Sequence, residues 1–529
     1  MSAASNSDPR PGPGAGPDPH DRAHEHGHQD GQAAHEHGHG HGPADAVRAG
    51  LLAAAEHAAR HLEQVPGGPV WRAMPPRARA ALAGAPLPEH GEPVAELLER
   101  AARQVLAYPM GNGHPAFFGW VNAAPHPAAV AAGLLAAASN PSSAGGDHAD
   151  VPLERAVVRW LAQLVGFPHE PGAGLLTSGA SMATIVAAGA ARHRALQRAG
   201  WDVRERGLAG APQLTAYATA EAHSCVRKAV ELLGLGAAAL RIVPQRDGRM
   251  DAGGLREAVA RDEAAGRVPF LAVGSAGTVN TGAIDPLEEI AEACGAPGGP
   301  VWFHVDGAYG AFGVLDPLLA PAYAGMGRAD SLALDPHKWL QAPVGVGALL
   351  VADRAQLRAA FSLVPPYLRD ENEHADDDSD AGGGGLGWFS EYGIEQTRPF
   401  RALPVWASIA ARGRAGVARD VAACASTARA LAAMVEQAAD LELVAPVAVS
   451  IAAFRFAPPG APARAVDRVN AALPAAVQAR GAAFATGSVY AGRPILRACV
   501  INPATGRREA RLLVDEVRDA GARLLAGLA

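Results

Sequence analysis

The middle of the chain, from about residue 126 to 400, alternates short apolar runs with segments of helical periodicity. The apolar runs are short enough to be strands that are buried on both faces. Their alternation with helical segments is typical of a mainly parallel sheet with helices on both faces. We therefore predict an α/β fold, with strands over 214–220, 269–277, 301–306, 331–335 and 346–353 and helices over 223–234 and 286–294.

Changes in composition divide the chain into four parts. Residues 1–45 predict a disordered tail, because they contain no apolar face to bury. Residues 46–125 carry two helical patterns between Pro- and Gly-rich breaks, which predict an N-terminal helical arm. Residues 126–400 form the predicted large domain, and residues 401–529 form a smaller C-terminal α/β domain, in which strands and helices again alternate.

The tail has an unusual composition, with eight of the chain's 20 histidines between residues 20 and 42. Neutral imidazoles bind divalent metals such as zinc, nickel and copper. One interpretation is a metal-handling tail, and its extreme form is a non-catalytic metal-binding protein on an inactive enzyme scaffold. The other, which we favour, is a polar extension with incidental metal affinity, because the tail has no fixed geometry. No metal is predicted in the active site.

Charge and cysteine content exclude several classes of protein. The formal net charge of −7 gives no electrostatic reason to expect a nucleic-acid partner. The longest apolar run, 127–139, is too short to span a bilayer, and no secretory signal is predicted. The four cysteines have no CxxC spacing, which argues against a disulfide scaffold and favours a reducing compartment. We therefore predict a cytoplasmic protein.

Lysine is almost absent: the chain has Lys228 and Lys338 against 44 arginines. Arginine replaces lysine where only charge is needed, but it stays protonated and cannot act as a nucleophilic amine. Lys338 follows an apolar run, which makes it a candidate for Schiff-base chemistry. Lys228 lies on a predicted helix and reads as a surface charge. Chance survival of Lys338 is the alternative.

Other reactive residues also follow apolar runs, where ligands bind in parallel α/β folds. They are His223, Thr278 and Asp306. If Lys338 forms an imine with pyridoxal phosphate, Asp306 can keep the pyridine nitrogen protonated. Ala308 can pack on one ring face and His223 on the other. The alternative for both Asp306 and His223 is a helix or turn cap.

The phosphate of such a cofactor needs backbone N–H groups at a helix start. The segment 175–192 offers an apolar run, then "TSGAS", then an Ala-rich helix. Gly179, Ala180 and Ser181 are small enough for close approach. His337, beside Lys338, is a further candidate contact.

Taken together, these motifs resemble the group II pyridoxal-phosphate-dependent amino acid decarboxylases. The segments that carry the resemblance are "HPAFFGWV" (114–121), "LLTSGASMAT" (175–184), "AHSCVRKA" (222–229), "VGSAGTVNTGAIDPL" (273–287), "FHVDGAYGAF" (303–312), "ADSLALDPHKWL" (329–340) and "RPFRALPVW" (398–406). The resemblance implies the fold-type I (aspartate aminotransferase-like) architecture and a homodimer with active sites at the subunit interface. It implies an internal aldimine at Lys338, with Asp306 on the pyridine nitrogen, His223 on the ring, and Ala180, Ser181 and His337 at the phosphate.

The family delivers a proton to the product from a tyrosine on a loop after the lysine. The corresponding loop here, 365–400, is acidic and then Gly-rich, and it predicts a mobile lid. The family spacing puts Phe389 at the tyrosine position, with Tyr392 three residues further on. Tyr367 is predicted to pack inside the protein and not to act as the proton donor. Either Tyr392 donates the proton, or the donor is missing and the chain resembles an aldehyde synthase. Another fold-type I enzyme, such as an aminotransferase, is a further alternative.

The substrate pocket is predicted from "FFGWVNAAPHP" (117–127). Trp120 and Val121 favour an aromatic or apolar amino acid, and Asn122 can bind its α-carboxylate. An acidic substrate needs an arginine, and the sequence places none near this segment. The prediction is therefore decarboxylation of an aromatic or apolar L-amino acid to its amine.

Overall fold

The computed structural model describes residues 43–168, 173–363 and 386–528. The predicted tail lies outside these residues except for its last three positions, and so does the predicted lid up to residue 385. Tyr367 therefore also falls outside the described part of the chain.

A seven-stranded sheet lies at the centre of the fold, in the order β1-β9-β8-β7-β6-β2-β3. β9 runs antiparallel to both of its neighbours, whereas the other neighbouring pairs are parallel. The predicted mainly parallel sheet is therefore confirmed. Its strands are β1 (Gly174–Thr177), β2 (Leu214–Ala218), β3 (Leu240–Ile242), β6 (Val268–Ser275), β7 (Trp302–Asp306), β8 (Ser331–Leu334) and β9 (Gly347–Val351), and a separate hairpin comprises β4 (Gln245–Arg246) and β5 (Arg249–Met250).

Both faces of this sheet are buried except at the edge strand β3, which explains why its strands are mainly apolar. Successive residues of β9 alternate between two hydrophobic clusters: Leu349 and Val351 belong to one, Ala348 and Leu350 to the other. Helices contribute to both clusters, as predicted. The helices of this part of the chain are α4 (Pro127–Ser139), α5 (Asp150–Val165), α6 (Ala180–Arg198), α7 (Val203–Arg206), α8 (Ser224–Leu232), α9 (Ala252–Ala264), α10 (Leu287–Cys294) and α11 (Ala355–Phe361).

A second, four-stranded antiparallel sheet follows in the order β10-β11-β13-β12. Its strands are β10 (Leu441–Leu443), β11 (Ile451–Phe456), β12 (Thr486–Tyr490) and β13 (Arg493–Cys499). The helices of this part are α12 (Ala402–Glu436), which is interrupted at Gly413, α13 (Ala463–Arg480) and α14 (Arg507–Ala526).

The N-terminal arm contains α1 (Pro43–Gln64), α2 (Pro76–Ala83) and α3 (Val94–Ala101), with a π-helical turn at Ala102–Leu106. It exposes several large apolar side chains, among them Leu51, Leu52, Val94, Leu97 and Val105. Among the described residues, no helix is both long and apolar enough to cross a membrane.

Candidate active site

A cavity of about 250 Å³ opens where β6, β7 and β8 of the large sheet end. It brings together nine residues singled out in the sequence, which come from segments up to 218 positions apart. These residues are Trp120, Val121, Asn122, Ala180, Ser181, His223, Asp306, Ala308 and Lys338. The parallel sheet causes this convergence, because the carboxyl ends of parallel strands meet at one edge.

Lys338 lies four residues beyond β8, in a turn. Its own backbone N–H donates to the carbonyl of Asp335. Its Nζ lies 2.9 Å from Oδ2 of Asp335, and its side chain is 18% exposed. The second carboxylate oxygen of Asp335 accepts the backbone N–H of Ala180, at 2.7 Å. Asp335 therefore connects the lysine to the first turn of α6.

The N-terminus of α6 lies directly against β9. A Cβ atom on Gly347, the first residue of β9, would come within 2.3 Å of the Gly179 carbonyl carbon and 2.6 Å of the Ala180 nitrogen. Glycine is therefore required at this position, since the contacting atoms are backbone. This close packing fixes Ala180 and Ser181 at the cavity wall.

Asp306 is the last residue of β7, and in the sheet it lies between Ser275 of β6 and Ala333 of β8. One carboxylate oxygen accepts the backbone N–H of Ala308, at 3.2 Å. This contact orients the carboxylate and brings the small Ala308 side chain to the same cavity.

His223 caps the N-terminus of α8, since its Nδ1 accepts the backbone N–H of Cys225, at 3.2 Å. An accepting Nδ1 leaves the neutral ring proton on Nε2. The predicted cap and the predicted cavity position of His223 are therefore both present. Lys228, on the same helix, is exposed, as predicted.

Three predicted site residues do not line the cavity. The Thr278 hydroxyl is buried and is used within its own loop, where it contacts the Thr281 hydroxyl and accepts the N–H of Ala283. Nδ1 of His337 bonds to the Val346 carbonyl, at 2.6 Å. Position at a strand end fixes the backbone, whereas local hydrogen bonds turn these two side chains away.

Tyr392 is the third exception, and the structure does not bring it to Lys338. It is buried beside Phe389, and its hydroxyl donates to the carbonyl of Leu386. A buried ion pair between Arg398 and Glu154 attaches the segment 386–398 to α5. Arg398 also packs on the Phe389 ring. Neither aromatic side chain lines the cavity of its own chain.

Arg497 of β13 is a cavity residue that the sequence analysis missed. It is 5% exposed, and its Nε and Nη2 have no hydrogen-bond partner among the described residues. An unpaired buried guanidinium is costly unless an anion binds to it. The available signal was an arginine inside the apolar strand "PILRACVI", but nothing in the sequence placed that strand beside Lys338.

The side chains of the cavity fit pyridoxal phosphate. Lys338 provides an amine for its carbonyl carbon, Asp306 a carboxylate for its pyridine nitrogen, and the start of α6 N–H groups for its phosphate. Gly277 forms part of the cavity wall with a φ of +114°, which favours glycine. A Cβ at this position would lie 3.1 Å from the Tyr309 ring.

Comparison with known proteins agrees with this geometry. Residues 76–457 match the family model described as the pyridoxal-dependent decarboxylase conserved domain. The chain is 30% identical to an aromatic-L-amino-acid decarboxylase of Bacillus atrophaeus, covering 82% of this chain and 86% of that protein. It is 31% identical to the human cysteine sulfinic acid decarboxylase, covering 70% and 73% respectively.

Among solved structures, the TDC of Oryza sativa with PLP and tryptamine superimposes with a TM-score of 0.82 at 25% identity. The match covers 92% of this chain and 99% of that one. The fold-type I architecture and the cofactor are thus confirmed. The chain belongs to the pyridoxal-dependent decarboxylase family, whose members are PLP-dependent amino acid carboxy-lyases.

Proposed function

We propose that this enzyme converts an aromatic or apolar L-amino acid to its amine and CO2 in the cavity around Lys338. The observation that carries the proposal is that Lys338, Asp306 and Arg497 line one cavity, in which Nε and Nη2 of Arg497 have no partner from the described part of the chain. A lysine for the cofactor and a cation for the substrate carboxylate are what an amino acid decarboxylase needs.

The residues divide the work as follows. Lys338 would hold the cofactor through its amine, and Asp306 would pair with the protonated pyridine nitrogen. The bound cofactor supplies an electron-withdrawing ring that accepts the electron pair released when CO2 leaves. His223 covers a ring face, with its orientation fixed by the Cys225 N–H. Ser181 would hold the phosphate, and Ala180, whose own N–H is donated to Asp335, would lie beside it.

Arg497 and Asn122 bind the α-carboxylate of the substrate. Arg497 offers two free nitrogens, and guanidinium groups bind carboxylates in a bidentate fashion. A carboxylate is most reactive toward CO2 loss when its C–C bond is fixed relative to the ring. Anchoring that group therefore raises the rate as well as the affinity.

The apolar part of the wall supports an aromatic or apolar side chain. Trp120, Val121 and Val279 line it. Arg497 gives the competing proposal, an acidic substrate, the arginine that the sequence analysis lacked. A panel containing L-tryptophan, L-tyrosine, L-phenylalanine, L-glutamate and L-cysteine sulfinate separates the two, with CO2 and amine measured for each. Faster turnover of the acidic members would overturn the substrate assignment, and peroxide with aldehyde would indicate the aldehyde-synthase alternative.

We also propose a homodimer, a cytoplasmic location and the four-part division of the chain. The exposed apolar side chains of the arm support a covering partner chain, and so does the exposure of His223 and of Trp120 at the cavity. The cytoplasmic location is supported by the four cysteines, which are all free. The division at residues 125 and 400 is supported by the two separate sheets.

The first experiment compares Lys338→Arg with Lys228→Arg, the only other lysine substitution that the chain allows. Both variants are mixed with pyridoxal phosphate, scanned for the visible absorbance band of the imine, and assayed for CO2. We expect Lys338→Arg to lose the band and the activity, because a guanidinium cannot form the imine. Lys228→Arg keeps both. A band that survives Lys338→Arg would contradict the proposal.

A further inference from the structure

Tyr309 links the two sheets of the molecule at the wall of the cavity. It lies three residues after Asp306, and its ring lines the cavity while it is only 5% exposed. Its hydroxyl reaches across to Ser450, the residue before β11 of the four-stranded sheet. The Tyr309 and Ser450 side-chain oxygens are 2.7 Å apart.

Two hydrogen bonds form this link, and the direction of the backbone one is fixed. The backbone N–H of Ser450 donates to the Tyr309 oxygen, at 2.9 Å. In the second bond, between the two hydroxyls, either oxygen can donate. Burial raises the pKa of Tyr309 well above its ordinary value, so the phenol keeps its hydrogen. Ser450 is fully buried as well, which means that water cannot replace either bond.

On its other side, Tyr309 contacts the neighbour of the catalytic lysine. The Trp339 indole N–H donates to the Tyr309 carbonyl, at 2.6 Å. The two rings stack with centroids 6.1 Å apart and an interplanar angle of 15°. Because Trp339 follows Lys338 directly, Tyr309 supports the backbone that carries the lysine.

Ser450 is in turn tied to the strand that carries Arg497. Its carbonyl accepts the Val500 N–H, at 2.8 Å, and the next residue, Ile451, pairs with Cys499 of β13. Arg497 lies two residues before Cys499 on the same strand. A continuous path of hydrogen bonds therefore runs from Trp339 through Tyr309 and Ser450 to β13.

We propose that the Tyr309 hydroxyl is a positioning group that sets the distance between Arg497 and Lys338. It acts on the capture of the substrate carboxylate and not on the cofactor. The inference rests on the proposed role of Arg497. Tyr309 itself forms no bond with the substrate: its effect passes through Ser450 and β13.

Tyr309→Phe is the appropriate variant, because it keeps the stacked ring, the cavity wall and the backbone carbonyl and removes only the hydroxyl. We expect KM for the fastest amino acid of the panel to rise roughly tenfold, as suits one lost buried hydrogen bond. The affinity for pyridoxal phosphate and its absorbance band stay close to the wild-type values, whereas kcat falls together with the anchoring of the carboxylate. Ser450→Ala has the same effect, whereas Ser450→Thr, which keeps a hydroxyl, restores much of the KM.

The matched control is Tyr323→Phe. Tyr323 is also buried, and its hydroxyl donates to the Gly310 carbonyl, within the large-sheet part of the chain. A general loss of stability affects both variants, but only Tyr309→Phe changes KM. An equal rise of KM in Tyr323→Phe would overturn the inference.

A double-mutant cycle with Arg497→Met tests the path itself. If Tyr309 acts through Arg497, then Tyr309→Phe changes KM in the wild type and adds nothing in the Arg497→Met background. Equal effects in both backgrounds would overturn the inference while leaving the carboxylate role of Arg497 intact. If Arg497→Met alone leaves KM unchanged, the proposed function has failed at that residue, and the positioning role fails with it.

Discussion

At the scale of single residues, Arg497 should have opposite effects on stability and on function. Two nitrogens of its buried guanidinium have no partner in the described ranges 43–168, 173–363 and 386–528. Such a group destabilises the free protein, because no partner offsets the desolvation of the charge. Such a group is retained where a ligand completes it. The same residue should therefore be unfavourable for folding and necessary for substrate binding.

Arg497→Met accordingly predicts two changes of opposite sign. KM for the amino acid rises at least tenfold, since one charged hydrogen-bonding partner is lost. The unfolding temperature of the cofactor-free protein stays the same or increases, because an apolar side chain of similar volume replaces an unpaired charge. Calorimetry and steady-state kinetics on one preparation measure both. A marked fall in the unfolding temperature would show that the guanidinium has a structural role.

Residues that act near the backbone of a strand end were the most predictable from sequence. Lys338 was singled out by the near absence of lysine and Asp306 by the apolar run before it, and both line the cavity. Thr278 and His337 also follow strands, but their side chains bond to their own loops. Arg497 and Tyr309 were missed for another reason: their roles depend on contact between two sheets that are distant in sequence.

At the scale of elements, the packing of β9 against α6 positions the start of α6 at the cavity wall. The sequence predicted the strand and the helix from their apolar patterns. It did not predict that β9 runs antiparallel, because a short apolar run carries no direction. No prediction covered α5, whose Glu154 holds the segment that carries Tyr392.

Gly347→Ala tests this packing. The added methyl group collides with the backbone at Gly179 and Ala180, so the start of α6 must move away from Lys338. We expect roughly tenfold weaker binding of pyridoxal phosphate, as loss of a charge-assisted hydrogen bond would cause. The binding is measured by absorbance titration. Gly133→Ala in α4 is the control, because its new Cβ meets only a Pro343 side-chain atom, at 4.0 Å. Equal affinity in the two variants would show that α6 does not need this contact.

At the scale of the whole molecule, a buried histidine in the large sheet should make the stability of the protein depend on pH. His304 of β7 is fully buried between the Thr184 and Ser331 hydroxyls. Burial lowers its pKa from 6.5 to about 3. The unfolded chain therefore binds a proton near pH 6.5 that the folded protein binds only near pH 3. The contribution of neutral His304 to the free energy of unfolding is therefore complete above pH 6.5 and is lost as the pH falls toward 3.

The slope predicted for this loss is about 1.4 kcal/mol per pH unit below the unfolded pKa. Urea denaturation of the wild type and of His304→Gln, from mildly alkaline to mildly acidic pH, measures it. Glutamine keeps a hydrogen-bonding side chain but does not titrate, so the variant should lose less stability on acidification. Parallel curves for the two proteins would mean that other groups govern the acid sensitivity.

The contrast between the two lysines has a practical consequence for chemical labelling. Lys228 is exposed on α8, whereas the Lys338 amine lies inside the cavity against Asp335. An acylating or reductively alkylating reagent therefore has only two side-chain amines to modify, in opposite surroundings. The extent of modification of Lys228 measures the reactivity of the reagent, and that of Lys338 measures the accessibility of the cavity. The ratio of the two, read from one peptide map, therefore contains its own internal standard.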